Sequence, residues 1–146
     1  MNIDRDEIIK YINEVQVKEI RKLLGDKMYF SLLENLSESK YIDIINEKNY
    51  TYSGYNYTHY GLKSVIAFFV KEKVVKNSHY KDTYSGHVIK ESDFSRQISN
   101  GERKNLAKEY RETAFSYYEL VDDFICRNIN VYDYCYSRRS NKMWKA

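Results

Sequence analysis

Apolar residues recur along this chain mostly at helical spacing, with two stretches that carry the period of a strand instead. Asp4 and Glu7 stand three apart ahead of Ile8, Ile9 and Ile12, a capping arrangement that predicts a helix from about Arg5 to Glu14. Val17 to Leu24 reads as a short helix closed by Gly25, on which the first would pack. Asp26 offers an N-cap to a second helix over Lys27 to Ser37, with Phe30, Leu33 and Leu36 as its apolar positions. Tyr41 to Ile45, a polar Asn46 to Asn49, and the tyrosine-rich run Tyr50 to Tyr60 read as two strands joined by a turn. Leu62, Val65, Ile66, Phe69 and Val70 then restore helical spacing through Val75.

Residues 77–101 are the least patterned and rich in serine, and are expected to form a connector with a short helix from Asp93 to Ile98. From Glu102 to Ile125 a long helix is predicted. In it Leu106, Tyr110, Thr113, Tyr117, Leu120 and Phe124 repeat at 4-3-4-3-4, the seam of a heptad pattern. That seam fits a homodimer through Leu106, Tyr110, Tyr117, Leu120 and Phe124, or packing on the 62–75 helix of the same chain. Val131 to Tyr136 alternates with period two, as a strand or extended arm would. The expected fold is mainly α with a small β-ribbon. Its parts are a module over 1–76, a connector over 77–101, and a long helix with a basic tail over 102–146, either separate or sharing one compact domain with the first half.

The run from Val17 to Gly61 resembles the working half of a winged helix-turn-helix. It holds a helix closed by glycine, a second helix, two strands, and Tyr57-Thr-His-Tyr-Gly61 leading into an apolar helix. The resemblance implies a winged-helix-like N-terminal half, double-stranded DNA as the partner, and a small regulator acting as a homodimer. In such proteins the second helix enters the major groove, which nominates Lys27, Tyr29, Ser31 and Asn35, with Met28 and Glu34 beside them. Asn35 would read adenine and Lys27 would meet a phosphate or a guanine. In the wing Tyr52, Tyr55 and Tyr57 are nominated, since a tyrosine hydroxyl reaches phosphate while its ring stacks on a base or anchors a protein interface. Arg138, Arg139, Lys142 and Trp144 add a basic, aromatic tail.

Charge complicates that reading. Residues 1–75 hold eleven basic and eleven acidic side chains, so the whole excess of +3 lies in 76–146. Non-specific DNA affinity comes mainly from phosphate neutralisation, and a neutral module supplies little of it. DNA binding leads, and the neutral first half and the 16 tyrosines carry the alternative, a protein-binding module, because tyrosine is enriched at interfaces. Asn, Lys, Ile and Tyr supply 57 of 146 residues, and proline is absent. Such AT-rich codon usage suits a low-GC bacterium, its phages or plasmids, or a virus. The protein-binding alternative is therefore a phage or mobile-element inhibitor of a host nuclease or defence complex, an anti-CRISPR-like module.

Cys126 and Cys135 form no disulfide framework, and two reduced thiols in a cytoplasmic protein are expected. Cys126 reads as a small hydrophobe, not a nucleophile. His59, His79 and His87 share no ligand spacing, the five glycines make no phosphate loop, and Asp122-Asp123 do not share a helix face. No metal, cofactor, catalytic residue, enzyme activity or membrane span is expected.

Overall fold

Asp4 opens the first helix: its carboxylate accepts the Asp6 N–H at 3.3 Å and its carbonyl accepts the Ile8 N–H. The expected reciprocal cap from Glu7 is not made, because that carboxylate accepts the Tyr11 hydroxyl at 2.7 Å. Nor does the helix stop near Glu14. The computed structural model describes residues 3–84 and 100–132. In it α1 (Arg5–Val15), a π-helical turn (Gln16–Ile20) and α2 (Arg21–Leu24) form one continuous rod, with right-handed helical dihedrals at every junction.

Gly25, with φ +81°, turns the chain into α3 (Asp26–Glu34). Asp26 is the first helical residue and not the cap, and Arg21 Nε holds its carboxylate at 2.8 Å, tying the two helices together. The helix ends three residues earlier than predicted, since Asn35 leaves helical dihedrals. Its orientation also differs from the expectation: Met28, Tyr29 and Leu32 fill the core, whereas Phe30 and Leu33, with Leu36 just beyond, are exposed. This helix is apolar on two sides, and the stripe at spacing one and four is the one that meets α2.

The stretch predicted as a first strand is a helix, α4 (Ser39–Ile45). Tyr41 and Ile44, three apart, are buried while Ile42 is exposed, where a strand would bury alternate residues. Contact with the core overrides the β-preference of its isoleucines. The ribbon comes later. β1 (Lys48–Tyr52) pairs antiparallel with β2 (Tyr55–His59), placing Tyr50 opposite Tyr57 and Tyr52 opposite Tyr55. Ser53 and Gly54 join them with φ of +49° and +83°, the left-handed pair that a tight hairpin needs.

Two long helices follow, α5 (Gly61–Tyr84) and α6 (Asn100–Arg127), then a single turn, α7 (Ile129–Tyr132). Both ends of the expected connector are thus helical, and its predicted short helix at 93–98 lies outside the described residues. Val131 and Tyr132 are helical and not extended. α5 runs antiparallel to the rod, as Lys73–Glu14 at 3.0 Å and Asn77–Tyr11 at 2.9 Å show. It runs antiparallel to α6 as well, with Phe69 on Phe115 and Phe68 on Tyr117.

The buried stripe of α6 is Ala107, Ala114, Tyr118, Val121 and Ile125, one residue along from the predicted seam. Of that seam Phe124 is buried and Leu120 exposed, while Leu106, Tyr110, Thr113 and Tyr117 are half-buried. Val15, Leu24, Ile44, Val65, Phe69, Ala114 and Val121 belong to one core, so the long helix packs within its own chain on the first half. Tyr118 donates to the Leu23 carbonyl at 2.7 Å, and Tyr132 to the Lys40 carbonyl at 2.8 Å. Cys126 is half-buried and disulfide-bonded, which departs from the expectation of reduced thiols; the chain's other cysteine, Cys135, lies outside the described residues. No helix of the described residues is long and apolar enough to cross a membrane.

Gly61 sets the angle between the hairpin and α5. Its φ is +81°, and a Cβ there would overlap the Ile45 carbonyl oxygen and come within 2.6 Å of the Asn46 carbonyl carbon. Gly61→Ala is expected to destabilise the fold by at least about 2 kcal/mol, from left-handed strain and overlap with backbone that cannot yield. Urea unfolding monitored by far-UV circular dichroism measures this.

Candidate interaction surfaces

The hairpin has two chemically opposite faces. Lys48, Tyr50, Tyr52, Tyr55, Tyr57 and His59 share one side, because side chains alternate along each strand and the register sets these residues opposite one another. Asn49, Thr51, Asn56 and Thr58 share the other and hydrogen-bond across the strands, Thr51 to Asn56 at 2.9 Å and Thr58 to Asn49 at 2.6 Å. The aromatic side lies on the C-terminal end of α6. Phe124 meets Tyr50 edge-on at 4.8 Å and His59 at 4.7 Å between ring centroids. Arg127 donates to the Tyr50 hydroxyl at 2.9 Å and sets its guanidinium 4.0 Å above the Tyr57 ring and 5.2 Å from that of Tyr52. Burial raises the Tyr50 phenol above its ordinary range, with Arg127 opposing. Tyr52 and Tyr55, at the tip, remain exposed.

His59 is fully buried where hairpin, α4 and α6 meet. Its Nδ1 accepts the Gly61 N–H at 3.1 Å, which assigns the proton to Nε2, and Nε2 has no hydrogen-bond partner. Burial pushes the imidazole down to about 4, with the backbone and charge of Asp43 opposing the shift.

The nominated recognition helix has a different character from the one expected. Tyr29 is buried, Ser31 is half-buried, and the Asn35 amide donates to the Ser31 carbonyl at 2.8 Å and so is committed to its own helix end. Lys27 alone of the four is exposed. What the surface of α3 presents is apolar: Phe30 is 47% exposed, Leu33 44% and Leu36 50%. Val17, 55% exposed on the rod, stands one helical turn from Arg21, whose guanidinium lies 5.3 Å from the Phe30 ring. Val17, Arg21, Phe30 and Leu33 thus form a row across two helices.

A third feature is charged. Arg111 sits at the α6 position between Ala107 and Ala114, beside the buried stripe, and donates to both carboxylate oxygens of Glu19 at 3.0 and 3.3 Å. It also reaches Glu72 at 3.2 Å, and Lys76 closes on Glu72 from the other side at 2.6 Å. Glu72 itself is buried. Sequence reasoning overlooked these residues and Arg127. Glu72 was readable, since it continues the Val65–Phe69 stripe at helical spacing. Arg111 was hidden because flanking alanines do not mark a seam. The tail residues Arg138, Arg139, Lys142 and Trp144 lie outside the described residues.

These features define a mainly α-helical protein with a two-stranded antiparallel ribbon. A model of a family of unknown function, DUF6712, matches residues 20–142. The chain belongs to that family. Comparison with characterised proteins and with solved structures finds no match.

Two outcomes test the hairpin's seat. Unfolded chain takes up the His59 proton near its ordinary value of 6.5, whereas the fold resists it down to about 4. Stability is therefore complete above pH 6.5 and falls as pH drops from there towards 4, by up to about 3 kcal/mol. Urea unfolding across that range measures the loss, and the His59 ring should remain neutral at pH 5 by NMR. Arg127→Ala should cost about 1–2 kcal/mol by removing a charged hydrogen bond and two cation–π contacts. Amide exchange should quicken most over residues 48–59.

Proposed function

We propose that this protein is a protein-binding module that docks through the apolar row formed by Val17 of the π-helical turn and Phe30 and Leu33 of α3. One observation carries the reading. The helix expected to meet DNA turns Phe30 and Leu33 outward, with Leu36 and Val17 beside them, while its core is filled by other residues. Phosphate is not met with phenyl and isobutyl groups, whereas a protein partner is. Arg21, paired with Asp26 and stacked on Phe30, supplies the kind of anchored arginine that recurs at interface hot spots. The exposed Tyr52 and Tyr55 of the hairpin extend the set of aromatic contacts.

The order of elements favours a second reading. Three helices followed by a hairpin is the order of a winged helix-turn-helix, with α4 and not α3 in the place of the recognition helix. Against it, α4 is only seven residues long, begins next to Glu38 and carries Asp43 and an exposed Ile42. Those side chains repel or ignore phosphate.

The test uses the double variant Phe30→Ser/Leu33→Ser. Both positions are surface sites, so stability should stay within about 0.5 kcal/mol of the parent. If the row is the docking face, full-length protein should retain a protein partner from host lysate after nuclease treatment. The double variant should bind it at least about tenfold more weakly, the expected loss from truncating two hot-spot side chains. Retention that nuclease abolishes, unaffected by the double variant but lost with Lys27→Ala/Lys40→Ala, would decide for DNA.

A further inference from the structure

We propose that the partner of the apolar row is an amphipathic helix with acidic side chains in its first turn and basic ones in its last. Such a partner rests on the reading of the row as a docking face, and adds to it a chemistry and a direction. Phe30 and Leu33 stand three apart on α3, and Val17 and Arg21 stand four apart on the rod. Rows at those two spacings are the ridges between which the side chains of another helix pack. A partner strand would instead need a sheet edge, which a row of helical residues does not offer.

The charges that flank the row are sorted by sign. Lys22 stands beside Arg21, while Glu34 and Glu38 lie at and beyond the far end of α3; all three are exposed and make no ion pair among the described residues. Lys18, one turn before Lys22, adds to the basic end, because the carboxylate it acts on, Glu14, is already paired with Lys73 at 3.0 Å. Arg21 and Asp26 close on each other at 2.8 Å and add no net charge. Glu34 is the last residue of α3, which has no basic side chain in its final turn. The dipole of α3 disfavours an acid there, and a cation laid over that end would relieve it. A helix lying along the row with its acids first and its bases last sets the acids over Lys18 and Lys22 and the bases over Glu34 and Glu38. That order also suits the partner's own dipole, so it runs parallel to α3. The nine residues of α3 span roughly 13 Å, which about three to four turns of partner cover with both charged ends.

The probe is a dye-labelled peptide of about fourteen residues, with leucines at spacings of three and four, two glutamates in its first turn and two lysines in its last. Its isomer carries the lysines first and the glutamates last. Fluorescence anisotropy against the full chain at about 0.15 M salt should show saturable binding of the first peptide. It should bind at least about fivefold more tightly than the isomer, the sum expected of several exposed pairs. The isomer is also the poorer helix by itself, so the deciding variant is Lys22→Glu/Glu34→Lys/Glu38→Lys, which should invert the preference. Its three positions are exposed, so the melting temperature should not fall. Phe30→Ser/Leu33→Ser should weaken both peptides alike. Equal affinity for the two peptides, lost in that double variant, would overturn the charge-selected partner and leave the docking face standing. No saturable binding of either peptide would overturn the helical partner, and the docking face would then stand or fall with the lysate capture. Peptide binding indifferent to Phe30 and Leu33 would overturn the docking face and the helical partner together. Self-association in sedimentation that vanishes with Phe30→Ser/Leu33→Ser would overturn the proposal in favour of a second copy of this chain.

Discussion

Arg111 stands beside the stripe of α6 that faces the core, and much of the helical arrangement follows from the ion pairs it makes. The guanidinium stays partly exposed, and it is the buried carboxylate of Glu72 that needs its charge met. Glu19 and Glu72 meet Arg111 from two other helices, 92 and 39 residues away in sequence. The three-way junction therefore fixes both rotation and height of the rod, α5 and α6 together. Ala107 and Ala114, 2% and 0% exposed on either side of Arg111, let the helices approach closely enough for those carboxylates to reach. Phe69 and Phe115 cover the guanidinium at 5.5 and 5.1 Å, which shields the ion pair from water on that side. Apolar packing holds the helices together; this charged contact selects one register among the several that packing alone would accept.

The second organising contact is Phe124, at the other end of α6. Tyr50, His59 and Tyr132 all lie against its ring, so hairpin, α7 and α6 share one aromatic anchor. Here the stripe predicted as a heptad seam has its role. Tyr110, Tyr117, Phe124 and Arg127 run along α6 beside the buried stripe: Tyr117 stacks with Tyr60 and meets Phe68, and Arg127 covers the hairpin tyrosines. The same residues that suggested a dimer are occupied in large part by the chain's own α5 and ribbon.

What could be read in the sequence follows from this geometry. The long helices were legible because α5 and α6 each bury one face at regular spacing. The tyrosine-rich run was legible as β but not as a hairpin: it reads as one strand after a turn at 46–49, whereas the Ser53–Gly54 turn divides it into both strands. α4 was not legible, since a seven-residue segment of isoleucine and tyrosine has the composition of a strand and its helical burial depends on neighbours distant in sequence. For α3 both faces are apolar, so only the packing partner distinguishes core from surface, and the outward placement of Phe30 and Leu33 could not be foreseen. The alanine positions of α6 pulled the inferred seam one residue aside, because short side chains mark close approach in three dimensions and little in one. The Glu19–Arg111–Glu72 junction depends entirely on contacts distant in sequence, and only Glu72, charged on an apolar stripe, left a trace.

The two-faced hairpin has a consequence for how this chain can vary. All its aromatic side chains lie on one side and all its asparagines and threonines on the other, and the Ser53–Gly54 turn holds the strands in that register. Gain or loss of a single residue within either strand would exchange the faces beyond that point, exposing rings and pressing amides against Phe124. Changes of two residues would preserve them. Length variation among sequences that keep this ribbon should therefore obey a parity rule, with strands growing or shrinking in even steps.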